Sequence, residues 1–381
     1  MDFSFDADTE SYRQHLRRWA TATLAPHYQA DDKAARLRPD LVPSMAEMGL
    51  TGLRIPEEYG GQGATAITAG MANEEVGRAD FNATYVIINT ALVGDILVRN
   101  ASPDQCHRWL PGIADGSQIP CLCVTEPEHG SDAATLELKA IGDGDDWLLN
   151  GEKTSITLGL NSHRGLVLAR TGGPGARGVS AFYVDLTDET IARSGFDDLG
   201  GRSIGRASLH FDNTRVTRDE LIGEVGGGFA SVMQGFDYSR AIIGMGCLGA
   251  AQISLEETLQ WARDREAFGG PIGKLQGVAF PLAECATYLR GARHVCLEAL
   301  WKKDNDLDHS AEAAMAKFWA PKLAAEVIHR CLLTFGHVGY SAESPLGQRL
   351  RDVIGLEIGD GTEQVSKLVI ARSLLGRAYA P

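Results

Sequence analysis

The sequence contains no Cys-x-x-Cys pair, although it has seven cysteines in 381 residues. Their number is odd and most lie within apolar stretches, so neither a disulfide framework nor a zinc site is predicted, and no metal is expected. We interpret them as reduced core residues of a cytoplasmic protein. They are Cys106, Cys121, Cys123, Cys247, Cys285, Cys296 and Cys331.

The sequence also has no long apolar run, and we expect no cleavable leader. No apolar segment approaches the roughly 20 residues that a membrane-spanning helix needs. The first ten residues, MDFSFDADTE, are acidic. They lack the basic region and following apolar region of a secretory signal, and they do not resemble a transit peptide. We therefore expect no membrane association.

Positive charge is scarce, since 36 Lys and Arg stand against 50 Asp and Glu, for a formal net charge of -14. No stripe of basic residues is present that would bind a phosphate backbone, so nucleic acid is not an expected partner. With 44% apolar residues the chain can bury a large core, divided into two or three domains. Small molecules or proteins are the expected partners.

The spacing of apolar residues divides the chain into three segments. It is helical at first, then shortens to strand patterns such as RGLVLAR and GVSAFYVDL, and becomes helical again beyond Gly228. One long apolar face over residues 282–299 is typical of a helix in a bundle. The predicted domains are an N-terminal helical domain (1–120), a middle β domain (121–225) and a C-terminal helical bundle domain (226–381).

The segment GPGARG, residues 173–178, fits the G-x-G-x-x-G pattern of dinucleotide-binding sites. That pattern requires a helix after the glycines, whose N-terminus binds the pyrophosphate. Here the strand pattern VSAFYV follows instead. We predict a hairpin loop without a binding function.

Near the C-terminus, the segment IGDGTEQ places Asp360 between two glycines. Glycine allows backbone conformations that other residues avoid, so these neighbours could present the carboxylate at a pocket. The sequence Gly-Asp-Gly is also ordinary turn chemistry, and taken alone it favours a solvated acidic turn. The three residues alone leave both interpretations open.

Six segments, taken together in order and spacing, resemble the acyl-CoA dehydrogenase family across essentially the whole chain. They are MGLTGLRIPEEYGGQG (48–63), CVTEPEHGSD (123–132), NGEKTSIT (150–157), FDYSR (236–240), RDREAFGGPIGKLQ (263–276) and IGDGTEQ (358–364). The resemblance implies a mainly α fold with a central β domain: an N-terminal helical domain, a middle β-barrel and a C-terminal four-helix bundle. It also implies FAD as cofactor, an acyl-CoA substrate, an electron-transfer flavoprotein as electron acceptor, and a homotetramer.

The resemblance assigns contacts with FAD to residues in several of these segments. They are Leu122, Cys123, Val124, Thr125, Ser131, Ser155, Ile156, Thr157, Arg265, Phe268, Leu275, Gln276, Leu333, Gly336, His337, Thr362 and Gln364. Arg265 and Phe268 match residues that meet the FAD of a neighbouring subunit, where a guanidinium suits a pyrophosphate. Taken alone, however, Arg265 fits an exposed charge at a helix end and Phe268 a core residue, and the threonines fit ordinary strands.

Two of these positions depart from the family pattern. Ser155 stands where the family has a tryptophan that covers one face of the flavin, and Leu333 stands where it usually has glutamine. The loss of the tryptophan leaves the shielding of the flavin to another residue or to none.

Substrate contacts are implied in the same way. They are Ser131, Phe236, Asp237, Ser239, Arg240 and Gly361. Asp237 and Arg240, three residues apart on a predicted helix, could equally form a local ion pair worth ~0.2–0.5 kcal/mol.

Oxidation of an acyl-CoA removes a proton beside the thioester, so the site needs a base. Most of the family places a glutamate at the position of Asp360, and a minority places it on the helix that here carries FDYSR. Ser239 occupies that second position and cannot act as a base. The resemblance therefore makes Asp360 the predicted catalytic base.

Aspartate is one methylene shorter than glutamate, and Gly359 stands where the family often has tyrosine. This combination resembles the alicyclic branch, which oxidises thioesters such as cyclohexane-1-carboxyl-CoA, with α-branched short acyl-CoAs as the next choice. Two other functions stay open. One is a flavin oxidase on the same fold, similar to nitroalkane oxidases, which use aspartate as base. The other is a non-catalytic flavin or acyl-CoA binding protein.

Overall fold

The computed structural model describes residues 4–381 and begins with six α-helices. Sequence signals fix their starts: Asp6 accepts a hydrogen bond from the Thr9 backbone before α1, and Ser102 and Gln105 form a capping box before α6. The helices are α1 (Ala7–Thr23), α2 (Tyr28–Ala34), α3 (Leu41–Glu47), α4 (Ala66–Ala79), α5 (Thr84–Asn100) and α6 (Pro103–Ala114).

Eight strands follow and form one sheet. They are β1 (Pro120–Cys123), β2 (Lys139–Asp143), β3 (Asp146–Ile156), β4 (Arg164–Arg170), β5 (Val179–Asp185), β6 (Ile191–Gly195), β7 (Ala207–Val216) and β8 (Leu221–Ile222). Their order is β6-β7-β3-β2-β4-β5-β8, and β1 pairs with β4 in parallel. The antiparallel β4 and β5 are the predicted strands RGLVLAR and GVSAFYVDL, and residues 173–178 lie in the loop between them. The predicted hairpin is confirmed.

Both faces of the sheet are covered, as the alternation along β4 illustrates. Leu166 and Leu168 pack with residues of α5 and α6. Val167 and Ala169 point to the other face and pack in a cluster formed by residues of the sheet's own strands. All seven cysteines are buried and free, in agreement with their interpretation as core residues.

Helices form the rest of the chain. They are α7 (Gly228–Asp264), α8 (Gln276–Asp304), α9 (Ser310–Phe335), α10 (His337–Tyr340), α11 (Pro345–Ile358) and α12 (Glu363–Leu375). A short hairpin of β9 (Glu266–Ala267) and β10 (Gly270–Pro271) joins α7 to α8. Within residues 4–381, no helix has both the length and the hydropathy required to cross a membrane.

The N-terminal helices and the bundle share one hydrophobic cluster, to which α4, α5, α7, α8, α9 and α11 contribute. Glycines allow the close approach of α4 and α7. A Cβ on Gly249 would lie 2.1 Å from the Glu74 carbonyl oxygen, and one on Gly77 would lie 2.4 Å from that of Gly246. This crossing therefore requires residues without side chains.

Candidate active site

A cavity of about 500 Å³ lies between the sheet, α5, α7 and the turn that joins α11 to α12. Many of the residues predicted from the sequence are brought together here, although they come from distant parts of the chain. The predicted residues that line it are Leu122, Val124, Thr125, Ser131, Ser155, Ile156, Thr157, Phe236, Arg240, Asp360, Gly361 and Thr362.

The turn between α11 and α12 presents Asp360 to the cavity. Asp360 has a φ of 56° and Gly361 a φ of 99°, both in the left-handed region. Thr362 then caps α12, because its side chain accepts a hydrogen bond from the Val365 backbone. The Asp360 side chain is half-buried and lines the cavity. Its carboxylate is therefore held in place at the cavity wall.

The surroundings of Asp360 shift its proton affinity in opposing directions. Burial raises the pKa of Asp360 above its ordinary value of 3.8, while a hydrogen bond from Ser239 and the charges of Lys317 and Arg240 partly offset the rise. The Ser239 hydroxyl donates to Oδ2 of Asp360 at 2.9 Å and is itself almost fully buried. A carboxylate with a raised pKa is a better base near neutral pH.

Arg240 of α7 links its own helix, through Asp237, to the turn that carries Asp360. Its Nη1 donates to Asp237 Oδ1 at 3.0 Å, and its Nε donates to the Asp360 carbonyl oxygen at 3.5 Å. The other Asp237 oxygen accepts a hydrogen bond of 2.6 Å from Ser310. The local ion pair considered from the sequence is present, and Arg240 lines the cavity at the same time.

The loop after β1 is fixed by a buried ion pair. Lys153 Nζ lies 2.7 Å from Glu126 Oε1 and 2.9 Å from the Val124 carbonyl oxygen, and both charged side chains are buried. Glu126 also accepts a hydrogen bond from the Leu138 backbone at 2.9 Å. These bonds hold the backbone on either side of Thr125 in one position.

Three hydroxyl groups on this side of the cavity remain available to a ligand. Within residues 4–381, the side chains of Thr125, Ser131 and Thr157 make no hydrogen bond to the protein, yet all three line the cavity. Apolar side chains, including Leu122 and Ile156, surround them. A rigid wall with free hydroxyls and apolar contacts suits a planar ring that carries nitrogen and oxygen at its edge, and the residues present fit a flavin.

Arg206 lies next to Ser155, the residue that departs from the family pattern. Its Nη1 donates to Ser155 Oγ at 2.8 Å, and its guanidinium carbon lies 4.2 Å from the centre of the Phe196 ring. Asp198 pairs with the same guanidinium. Arg206 and Asp198 both line the cavity, so a charged pair stands beside the position where the family has a tryptophan.

The structure places other predicted residues outside the cavity. The Cys123 side chain faces the core of the sheet, so only its backbone can contact a ligand. Asp237 and Ser239 do not line the cavity themselves. Asp237 binds Arg240 and Ser239 binds Asp360, and these two partners do line it. The remaining predicted residues, which we call the outer group, lie just after α7, at the starts of α8 and α12, and at the end of α9. The group comprises Arg265, Phe268, Leu275, Gln276, Leu333, Gly336, His337 and Gln364.

Arg265, one member of the outer group, lies beside an aromatic pair that joins α7 and α9. Trp261 of α7 stacks on Phe335 of α9 with ring centres 4.9 Å apart, and the Arg265 guanidinium lies 5.8 Å from the Trp261 ring. Phe268 is 94% exposed, so it is not the core residue that its type alone suggested. It also has a φ of 54° in the turn between β9 and β10, where an exposed aromatic side chain gains no packing within the chain.

Sequence reasoning missed one wall of the cavity, which α5 provides. Its cavity-facing residues are Tyr85, Ile88, Asn89 and Leu92. Their i, i+3, i+4, i+7 spacing is that of one helical face and was available in the sequence. The pattern does not stand out, because nearly every residue of α5 is buried on one side or another.

Three sequence models of the acyl-CoA dehydrogenase family match the chain: the N-terminal domain over residues 6–117, the middle domain over residues 121–214 and the C-terminal domain over residues 226–375. The chain belongs to the acyl-CoA dehydrogenase family. The resemblance seen in the motifs is thus confirmed, and so is the predicted fold class. The protein is an oxidoreductase, and FAD is its cofactor.

Similarity to individual proteins extends over the full length. The mitochondrial short-chain specific acyl-CoA dehydrogenase of Bos taurus is 34% identical over 366 residues, which are 95% of this chain and 89% of that protein. A probable acyl-CoA dehydrogenase of Bacillus subtilis is 33% identical over 381 residues, covering 98% and 100%. The structure of butyryl-CoA dehydrogenase from Megasphaera elsdenii superimposes with a TM-score of 0.95 at 26% identity, covering 98% and 100%. These similarities do not favour the flavin-oxidase alternative.

Proposed function

We propose that the chain catalyses α,β-dehydrogenation of an acyl-CoA thioester, with Asp360 as the base that removes the α-proton. The observation that carries the proposal is the Asp360 carboxylate, held by Ser239 at the wall of the same cavity that the free hydroxyls of Thr125, Ser131 and Thr157 line. Thr125, Ser131 and Thr157 would hold FAD, which would supply the acceptor for a hydride from the β-carbon. Asp360 takes the proton from the α-carbon.

The other cavity residues bind and orient in this proposal. Thr125, Ser131 and Thr157 offer hydroxyls to the flavin, while Phe236 and Arg240 border the thioester end of the substrate. The wall provided by α5 is largely apolar, and an apolar acyl group seated against it excludes water from Asp360. Exclusion of water strengthens the carboxylate as a base, in the same direction as the burial already present.

We propose that the acyl group is bulky at its α-carbon, as in cyclohexane-1-carboxyl-CoA or an α-branched short acyl-CoA. Aspartate withdraws the carboxylate by about 1.5 Å relative to glutamate, which is one C–C bond. Gly359 adds no side chain beside it, and a Cβ there would meet only Leu356 and the Gly355 carbonyl, at 3.5 and 3.7 Å. The space between base and flavin therefore suits a wider group than a linear chain.

The direct test is an anaerobic titration of the purified yellow protein with a panel of acyl-CoAs. We expect cyclohexane-1-carboxyl-CoA or isobutyryl-CoA to bleach the flavin absorbance, because substrate oxidation reduces the cofactor. Failure of every acyl-CoA to bleach a fully loaded protein would contradict the proposal. Oxygen uptake with a nitroalkane in the same preparation would instead indicate a flavin oxidase.

We further propose a homotetramer in which the outer group contacts the FAD of a neighbouring subunit, with an electron-transfer flavoprotein as electron acceptor. The support is the exposure of two apolar members of this group, since the side chains of Phe268 and Leu333 are 94% and 60% accessible. Apolar side chains so exposed are typical of surfaces that a partner covers.

Replacement of Phe268 by alanine should therefore lower FAD retention and shift the protein towards smaller species in light scattering. The matched control is Ile141→Ala, which removes an exposed apolar side chain, 52% accessible, from β2 of the sheet. A wild-type protein that is monomeric when fully loaded with FAD would refute the tetramer. A Phe268→Ala variant indistinguishable from the control would refute the role of Phe268.

A further inference from the structure

A buried lysine lies beneath the Asp360 turn and has no role in the proposed reaction. Lys317, in α9, is only 1% exposed. Its ammonium donates to the Leu356 carbonyl oxygen at 2.7 Å and to the Gly361 carbonyl oxygen at 2.9 Å. One carbonyl precedes Asp360 in the chain and the other follows it. A single side chain therefore ties together both sides of the turn that carries the base.

Both carbonyls need such a donor. Leu356 lies in the last turn of α11, where backbone carbonyls lack partners within the helix and the helix dipole favours a cation. Gly361 follows Asp360 in the left-handed stretch, with φ values of 56° and 99°. A non-glycine residue in this region carries a conformational cost that surrounding contacts must offset. The two bonds from Lys317 are contacts of this kind.

The charge of Lys317 is also matched to Asp360. A buried ammonium is costly unless a negative charge or strong acceptors compensate it. Burial lowers the pKa of Lys317 to about 8, and the charge that most strongly counteracts this is that of Asp360. The interaction is mutual, because Lys317 also favours the ionised form of Asp360. The other titratable groups around the two are Arg240 and Cys247 of α7, Glu357 of α11 and Tyr85 of α5.

We propose that Lys317 is a positioning residue for the catalytic base: it holds the Asp360 turn in its left-handed conformation and keeps the carboxylate ionised. This inference rests on the proposed role of Asp360. Lys317 itself does not contact the substrate in this proposal, since its hydrogen bonds go to backbone carbonyls behind the turn.

The test is Lys317→Met, which keeps the length of the side chain and removes the charge and both hydrogen bonds. We expect kcat/KM at the optimal pH to fall by about 10- to 100-fold, since misplacement of a base by about 1 Å has effects of that size. Without the cation, the pKa of Asp360 rises. The acid limb of the kcat/KM profile should therefore move to higher pH by about one unit or more.

The matched control is Lys322→Met on the same helix. Lys322 has a 45% exposed side chain and pairs with Glu363 at 3.4 Å, so the same substitution removes a nearby charge at the surface. Its acid limb should stay at the wild-type position. If Lys317→Met does not fold, as judged by FAD content and thermal unfolding, Lys317→Gln provides the second variant, with donors but no charge. We expect Lys317→Gln to show the shifted limb with a smaller loss of kcat/KM.

The inference would be overturned by a folded, uncharged variant at position 317 that behaves like Lys322→Met. Its kcat/KM would then agree within about twofold, and the acid limb of its pH profile would lie at the same pH. Asp360→Asn separates this outcome from failure of the proposed function. If Asp360→Asn is inactive and Lys317→Met is unaffected, only the positioning role of Lys317 is refuted. An active Asp360→Asn removes the base on which the inference rests.

Discussion

Asp360→Asn is expected to lower kcat/KM by about 1000-fold or more, because it removes the only base that the proposal places at the cavity. The amide retains the size of the carboxylate and can still accept the hydrogen bond from Ser239, so the turn should keep its conformation. FAD content should therefore remain close to that of the wild type. The measurement is steady-state kinetics with the acyl-CoA that bleaches the flavin most completely.

The matched control is Asp197→Asn, whose side chain is 96% exposed next to the cavity-lining Asp198. This variant makes the same chemical change without touching the proposed base, and its kcat/KM should equal that of the wild type. Near-normal turnover in Asp360→Asn would show that Asp360 is not the base.

In the wild type, kcat/KM should fall as the pH drops through the pKa of Asp360, which burial raises above 3.8.

The second large effect concerns the acyl group. Wild-type enzyme should prefer cyclohexane-1-carboxyl-CoA to butyryl-CoA and octanoyl-CoA, and Asp360→Glu should reverse the preference. The longer side chain advances the carboxylate by about 1.5 Å, which closes the gap to a linear chain and crowds a ring. Since a displacement of about 1 Å can change a rate by about 100-fold, the ratio of the two kcat/KM values should change by well over tenfold.

The ratio of kcat/KM values within one variant is the quantity to measure, because it does not depend on the fraction of active enzyme. A wild type that prefers a linear chain by about tenfold or more would refute the bulky acyl group while leaving the role of Asp360 intact. The Ile141→Ala variant serves here as the control for a change remote from the cavity, and its ratio should match the wild type.

Local patterns in the sequence predicted much of this structure. Short apolar runs bounded by turn residues located β4 and β5. The two glycines around Asp360 indicated an unusual turn, which the φ of 56° now describes. Lys317 gave no such signal. In sequence it resembles Lys322, five positions further along α9, yet one is buried and the other is 45% exposed. Their difference arises from the packing of α11 and α12 against α9, which no local pattern contains.

The outer group was predicted from the family resemblance alone. Contacts within a single chain do not explain why these residues stand at these positions. Phe268 and Leu333 contact little within their own chain, and in the proposed tetramer their surroundings would depend on a neighbouring subunit whose position no local rule determines. Arg206 was missed for a different reason. Arg206 lies in the loop just before β7, where an arginine is normally a surface residue. Its contact with Ser155 joins segments 51 residues apart.

The hydrophobic cluster shared by the N-terminal helices and the bundle has a consequence for how the protein unfolds. Residues of α4 and α5 occupy the same core as α7, α8 and α9, and the backbones of α4 and α7 touch at Gly77 and Gly249. Loss of either set of helices would expose the apolar face of the other to water. The two helical segments, although separated in sequence by the sheet, therefore form one cooperative unit, and a fragment containing either alone lacks a complete core.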